Sequence, residues 1–179
     1  MAVTPVHMMA GVSALVNGGE FHPPTLLARD EGEAVPATRV VKRKTSDLIR
    51  QMMRQVVTEG TGNTADVPGY EVSGKTGTAE KSGAGGYRKK ANLSSFIACF
   101  PGNDPRYLVL AMIDEPHGIK ETFGLVQAHW TSAPVVGRVV AQIGPLLGLT
   151  PSSLPDDTQI KPSMAVNAVA KGSKLAEVE

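Results

Sequence analysis

Leu93-Ser94-Ser95-Phe96-Ile97-Ala98-Cys99-Phe100, then Pro101-Gly102-Asn103-Asp104-Pro105-Arg106, then Tyr107-Leu108-Val109-Leu110-Ala111-Met112-Ile113 read as strand, turn and strand. Two short apolar runs bounded by Gly, Pro, Asn and Asp form the pattern of an antiparallel hairpin. Cys99 lies inside the first run, so a small buried core residue is expected there. Upstream, Tyr70-Glu71-Val72-Ser73-Gly74-Lys75-Thr76-Gly77-Thr78-Ala79 supplies a third extended run with two glycines. Glycine weakens a strand interior and marks a place where another group approaches the backbone closely. Ser82-Gly83-Ala84-Gly85-Gly86 reads as a flexible loop, and the basic Arg88-Lys89-Lys90 as a solvated loop after it.

Helical patterns surround these strands. Thr4-Pro5 opens the first, because Thr caps an N-terminus and Pro suits the first turn. Asn17-Gly18-Gly19 ends it with residues that tolerate a left-handed cap. Thr38 to Lys42 has the alternation of a short strand, after a surface loop at residues 28–37. Thr45 or Ser46 is the expected cap of a second helix. Its Leu48, Ile49, Met52, Met53, Val56 and Val57 share one face, the two Met as core filler. Gly60-Thr61-Gly62-Asn63 stops that helix. A third starts at Ser132-Ala133-Pro134, carries Val135, Val136, Val139, Val140, Ile143 and Leu147, and closes at Gly148. Trp130 is expected to anchor it in the core. Helix, helix, three strands and helix in that order predict an α+β fold, an antiparallel sheet flanked by helices, over residues 1–149. Residues 150–179 hold three prolines and no aromatic residue, and are expected to be a disordered tail.

Composition narrows the function. The chain has 179 residues and a formal net charge of +1, so neither nucleic acid nor a membrane surface is favoured electrostatically. With one Trp, three Tyr and four Phe, it has few platforms for base stacking. A single cysteine excludes an internal disulfide and a cysteine-based zinc site. His7, His22, His117 and His129 show no metal-ligand spacing, so neither metal nor cofactor is expected. Asp114-Glu115 are adjacent on a strand and should point to opposite faces, which favours solvation over paired acid–base work. Ser73-Gly74 reads as packing. No stretch approaches the roughly 20 apolar residues of a membrane-spanning helix, and no signal peptide is evident.

One segment carries definite chemistry. Lys75-Thr76-Gly77-Thr78 is similar to the Lys-Thr-Gly signature of serine acyl-transferases that handle D-alanyl peptides and β-lactams. Alone, the triplet recurs by chance in roughly one chain of this length in thirty. Its neighbours make it specific. Ala2 to Met8 with Leu15-Val16-Asn17-Gly18-Gly19, then Val56-Val57 and Gly60-Thr61-Gly62 leading to Val72 through Glu80, then Ser94 to Pro101, Tyr107 to Pro116 and Ser132 to Gly137 occur in order. Together they resemble the C-terminal part of the transpeptidase domain of class B penicillin-binding proteins, the division-specific (septal) D,D-transpeptidases, over residues 2 to about 149.

The resemblance implies roles. Lys75 would sit beside a carboxylate or a neighbouring hydroxyl as a compact cation. Thr76 would offer its hydroxyl to the substrate's terminal carboxylate. Gly77 would leave room for substrate backbone, and the Thr78 N–H would supply half of an oxyanion hole. Lys75 and Thr78 are thus the candidate catalytic residues, and Lys75, Thr76, Gly77 and Thr78 the candidate substrate-binding residues. The family's other two signatures, Ser-x-x-Lys and Ser-x-Asn, do not occur in the chain. The expectation is therefore a fragment that is inactive alone, since an acyl-enzyme needs the serine and its base. The implied ligands are a peptidoglycan stem peptide and β-lactams, with division or cell-wall proteins as partners. The family resides in the inner membrane with a periplasmic domain; a chain made as written, without signal or anchor, would be cytoplasmic. A β-lactamase or D,D-carboxypeptidase fragment shares Lys-Thr-Gly but is disfavoured by the flanking blocks. A non-catalytic interaction module is the alternative that the absent serine favours.

Overall fold

The computed structural model describes residues 3–30, 32–83 and 86–152. Helix α1 (Pro5–Val16) starts where the sequence indicates: the Thr4 hydroxyl accepts the His7 N–H at 3.2 Å, with Pro5 in the first turn. Gly18 and Gly19 follow at φ 98° and 96°, conformations that favour glycine. The Asn17 side chain accepts their turn's N–H groups from Gly19 and Glu20. Strand β1 (Glu20–Phe21) then pairs antiparallel with β2 (Thr38–Arg39). The strand expected to reach Lys42 stops early, because the N–H groups of Val40 and Val41 both turn to the Gly19 carbonyl.

Helix α2 (Arg43–Thr58) begins before either expected cap. Lys42 occupies the N-cap without a side-chain bond. Ser46 is instead buried inside the helix, where its hydroxyl accepts the Gly18 N–H at 3.0 Å. That serine ties α2 to the end of α1. The apolar stripe is also narrower than its spacing implied. Met53 and Val57 are buried, whereas Leu48 and Met52 are exposed. The helix runs beside the edge of a sheet rather than across its face: Met53 packs with Val16 and Cys99, and Val57 packs in the other core.

The sheet has the order β3-β4-β5, fully antiparallel, with β3 (Ser73–Gly83), β4 (Gly86–Phe100) and β5 (Tyr107–Asp114). Thr76 lies opposite Phe96, Thr78 opposite Ser94, and Phe96 in turn opposite Ala111. The β3 ladder starts later than Tyr70, because Glu71 sits at φ 46° and Tyr70 drops into the core. It also runs further. The flexible loop expected at 82–86 and the solvated loop at 88–90 are mostly strand, since Ser82 pairs with Tyr87 and Gly83 with Gly86 beyond a bulge near Lys81. Continued backbone pairing overrides the loop-like composition. Residues 84 and 85 lie outside the described residues.

Side chains alternate across the sheet, and each face has its own helix. Phe96, Ala98 and Phe100 pack with Val72, Tyr70 and the Ala133, Val136 and Val140 face of α3 (Ser132–Leu146). Cys99 and Leu108 lie on the opposite face, packed with Val12 and Val16 of α1. Burial pushes the Cys99 thiol up to about 11, the behaviour of a core residue. The result is the α+β sandwich expected, helices on both faces of an antiparallel sheet. Trp130 does not anchor α3 in the core: it is half-buried against Phe123 and His129. The fully buried Ser94 hydroxyl does that work, 3.0 Å from Ser132 Oγ and 2.6 Å from Thr131 Oγ1. Of the expected tail, Thr150 to Ser152 are described, and Ser152 donates its N–H to the Gly69 carbonyl at 2.9 Å; the rest lies outside the described residues. No helix among the described residues is long and apolar enough to cross a membrane.

Candidate functional site

Lys75, Thr76, Gly77 and Thr78 lie in succession on β3, the strand at one edge of the sheet. Lys75 and Thr78 are exposed, and Thr76 and Gly77 half-buried. Arg54 donates to the Val72 carbonyl at 2.7 Å, and Lys75 Nζ to the Thr76 carbonyl at 2.7 Å. Backbone groups alternate in direction along an antiparallel strand. Thr78 therefore turns its N–H the same way, onto the edge away from β4. Lys75 Nζ also lies 3.5 Å from the Thr76 hydroxyl, and no ion pair among the described residues includes it. An ammonium, a hydroxyl and an outward N–H thus share one strip of backbone, an arrangement able to hold a carboxylate and to polarise a nearby carbonyl.

The two glycines differ. A Cβ on Gly74 would lie 2.5 Å from Phe96 Cζ and 2.7 Å from its Cε1, so the close approach foreseen there is made by the protein's own core. A Cβ on Gly77 would meet mainly the Ser95 hydroxyl, also at 2.5 Å, which itself donates to the Gly77 carbonyl.

In the sequence, Thr61 reads only as part of a helix stop. Its hydroxyl lies 3.1 Å from that of Thr76. The turn that carries it is tied to the loop before α3: His129 Nδ1 lies 3.3 Å from the Thr61 carbonyl oxygen, and Thr64 Oγ1 donates to the His129 carbonyl at 2.9 Å. His129 is thereby tied to the turn that carries Thr61, and a cleft of about 550 Å³ lined by Thr61, Leu125, His129 and Trp130 opens beside that turn. Only the Gly60-Thr61-Gly62 triplet hinted at a shaped turn. His7, His22 and His117 lie elsewhere. No cluster of three or more His, Cys, Asp or Glu among the described residues is placed to hold a metal ion.

Asp114 and Glu115 do not point apart as their strand spacing implied. Strand β5 ends at Asp114, and Glu115 takes φ 46° while donating its N–H to the Asn92 carbonyl. Both carboxylates then converge on Lys81, each at 2.9 Å, and Arg88 joins Glu115 at 3.2 Å. The Asp114 and Glu115 carboxylates hold the Lys81 ammonium above its ordinary value, while Lys81 and then Arg88 hold Glu115 below the ordinary carboxylate range. A lowered carboxylate contributes fully above its ordinary value, and the contribution is lost as pH falls through the lowered one. A raised ammonium contributes fully below its ordinary value, and the contribution is lost as pH rises through the raised one. Hydrogen-exchange protection of the Glu115 N–H should therefore stay level between pH 4.5 and 10.5, the ordinary values of the two groups, and fall on either side. A steady change in protection across the neutral range would contradict this.

Residues 1–136 match the family described as the penicillin binding protein transpeptidase domain. The chain is 39% identical over 158 residues to the "Probable peptidoglycan D,D-transpeptidase FtsI" of Caulobacter vibrioides, covering 83% of this chain and 27% of that protein. It is 35% identical over 161 residues to the stage V sporulation protein D of Bacillus subtilis, covering 84% of this chain and 24% of that one. The chain thus spans about a quarter of the length of these relatives. Among solved structures it is similar to the apo transpeptidase domain of Burkholderia pseudomallei penicillin-binding protein 3, with TM-score 0.74 and 31% identity over 84% of this chain and 44% of that one. It is also similar to penicillin-binding protein 3 of Mycobacterium tuberculosis complexed with ampicillin, with TM-score 0.72 and 28% identity over 87% and 37%.

Proposed function

The chain belongs to the class B penicillin-binding protein transpeptidase family, and on that premise we propose that its β3 edge is the substrate-binding strand of a peptidoglycan D,D-transpeptidase. The supporting observation is the single strip on which the Lys75 ammonium, the Thr76 hydroxyl and the outward Thr78 N–H lie side by side. A stem peptide ending in D-alanyl-D-alanine lies along this edge, extended, in the manner of an added strand. Its terminal carboxylate meets Lys75 and Thr76. Gly77 presents no side chain to the peptide, and the N–H of Thr78 faces the scissile carbonyl, where negative charge grows as a tetrahedral intermediate forms.

A serine must attack that carbonyl, and a base must take its proton. Neither Ser-x-x-Lys nor Ser-x-Asn occurs in the 179 residues, so the nucleophile belongs to other polypeptide of the enzyme. The chain by itself binds without acylating. The ampicillin complex of the Mycobacterium tuberculosis relative supports β-lactams as a second class of ligand for this edge. In the complete protein the reaction is cross-linking of periplasmic peptidoglycan at the division septum, from a domain held at the inner membrane.

The test is a titration of the isotopically labelled chain with a diacylated L-lysyl-D-alanyl-D-alanine peptide, together with mass analysis after incubation with penicillin. Backbone shifts confined to residues 75–78 and their surroundings, with no covalent adduct, are expected. A stoichiometric penicillin adduct, or peptide binding that leaves β3 unmoved, would reject the reading.

A further inference from the structure

We propose that Thr61 is a positioning residue of the carboxylate site: it donates its hydroxyl hydrogen to Thr76 and so releases the hydrogen of Thr76 to the bound anion. The inference rests on the reading of β3 as the carboxylate-binding edge. A threonine hydroxyl has one hydrogen to donate and two lone pairs to fill. Two groups approach the Thr76 oxygen. Lys75 Nζ, 3.5 Å away, is a donor only. Thr61 Oγ1, 3.1 Å away, bonds to no other polar atom among the described residues. Its hydrogen thus has Thr76 as its one protein partner. With both lone pairs of Thr76 engaged, its own hydrogen is left to point outward. A chain of hydroxyls polarised in one direction also strengthens the terminal donor. The geometry is held from behind: His129 sits at the Thr61 carbonyl and Thr64 donates to the His129 carbonyl, so the loop before α3 sets where the Thr61 hydroxyl stands.

The experiment compares the 179-residue chain with Thr61→Val, Thr61→Ser, Thr76→Val and the Thr61→Val/Thr76→Val double variant. Each is titrated with the D-alanyl-D-alanine peptide and with its C-terminal amide. Valine keeps the shape of threonine and removes only the hydroxyl, and Tm and backbone spectra report whether each variant keeps the fold. Thr61→Val should bind the acid roughly three- to tenfold more weakly and lose much of the preference for acid over amide. Thr61→Ser should restore both. In the Thr76→Val background, removing the Thr61 hydroxyl should have no further effect. A merely structural role for Thr61 would move Tm without moving the acid-to-amide preference. An unchanged preference in Thr61→Val, or an equal loss with and without Thr76, would overturn the proposal. If the unsubstituted chain shows no shifts at residues 75–78, the assignment of the strand falls first and this inference with it.

Discussion

Gly74→Val should leave no cooperatively folded chain. The Phe96 ring is completely buried, and its edge runs between two glycines. A Cβ on Gly74 would lie 2.5 Å from Cζ, and one on Gly62 would lie 3.1 Å from Cε2 and 3.2 Å from Cζ. The ring cannot retreat from β3, because the helix-stop turn closes the other side. Nor can β3 move away without breaking its ladder to β4, since the same added carbon would sit 2.9 Å from the Ile97 carbonyl oxygen. Overpacking of a rigid core costs about 1–3 kcal/mol, and dislodging a buried Phe forfeits about 3–5 kcal/mol more. Together, about 4–8 kcal/mol, they match the whole stability of a domain in the lower part of the ordinary range of about 5–15 kcal/mol. Near-ultraviolet circular dichroism and a thermal melt decide it. A variant melting within a few degrees of the parent would show that the ring has room that the structure denies it. Gly77→Ala is the control, because its new methyl meets chiefly one hydroxyl able to rotate away.

Lys75→Ala should have the largest effect on recognition while sparing the fold. The side chain is exposed, and its bond is to the carbonyl of the next residue on its own strand. Removing it therefore opens no cavity. A hydrogen bond to a charged partner contributes about 1.5–3 kcal/mol, so the D-alanyl-D-alanine peptide should bind about 10- to 150-fold more weakly. The loss should shrink as salt is raised, because an exposed charge pair is screened. Lys75→Arg should restore only part of the affinity, since a planar guanidinium does not reproduce the compact ammonium beside Thr76. Calorimetric titration measures all three. An unchanged Kd for Lys75→Ala would remove the lysine from the site and leave the neutral donors of Thr76 and Thr78 as its whole content.

Much of this molecule is written locally. The hairpin of β4 and β5 follows from two apolar runs around a turn-forming hexapeptide, and α1 follows from Thr4, Pro5 and the glycines after Asn17, because each signal acts within a few residues of itself. The Lys75 to Thr78 strip was equally legible, as four consecutive residues on one strand. What escaped depends on partners distant in sequence. Ser46 looks like a cap until Gly18 is brought to it. Asp114 and Glu115 look like opposite faces until a left-handed turn aims both at Lys81. Ser82, Gly83 and residues 86–90 look like loop until the ends of β3 and β4 pair with each other. Thr61 looks like punctuation until α2 delivers its turn beside β3.

The amino-acid sequence by itself determined the three main helices, the three strands of the larger sheet and their order, the family and the chemical groups on the edge strand, because periodicity, turn chemistry and a contiguous motif are properties of neighbouring residues. Only the tertiary structure decided which hydroxyl stands behind Thr76, why Gly74 has to be glycine and which way the Thr78 N–H faces. Each of those is a distance or a direction between groups that the chain separates and packing reunites.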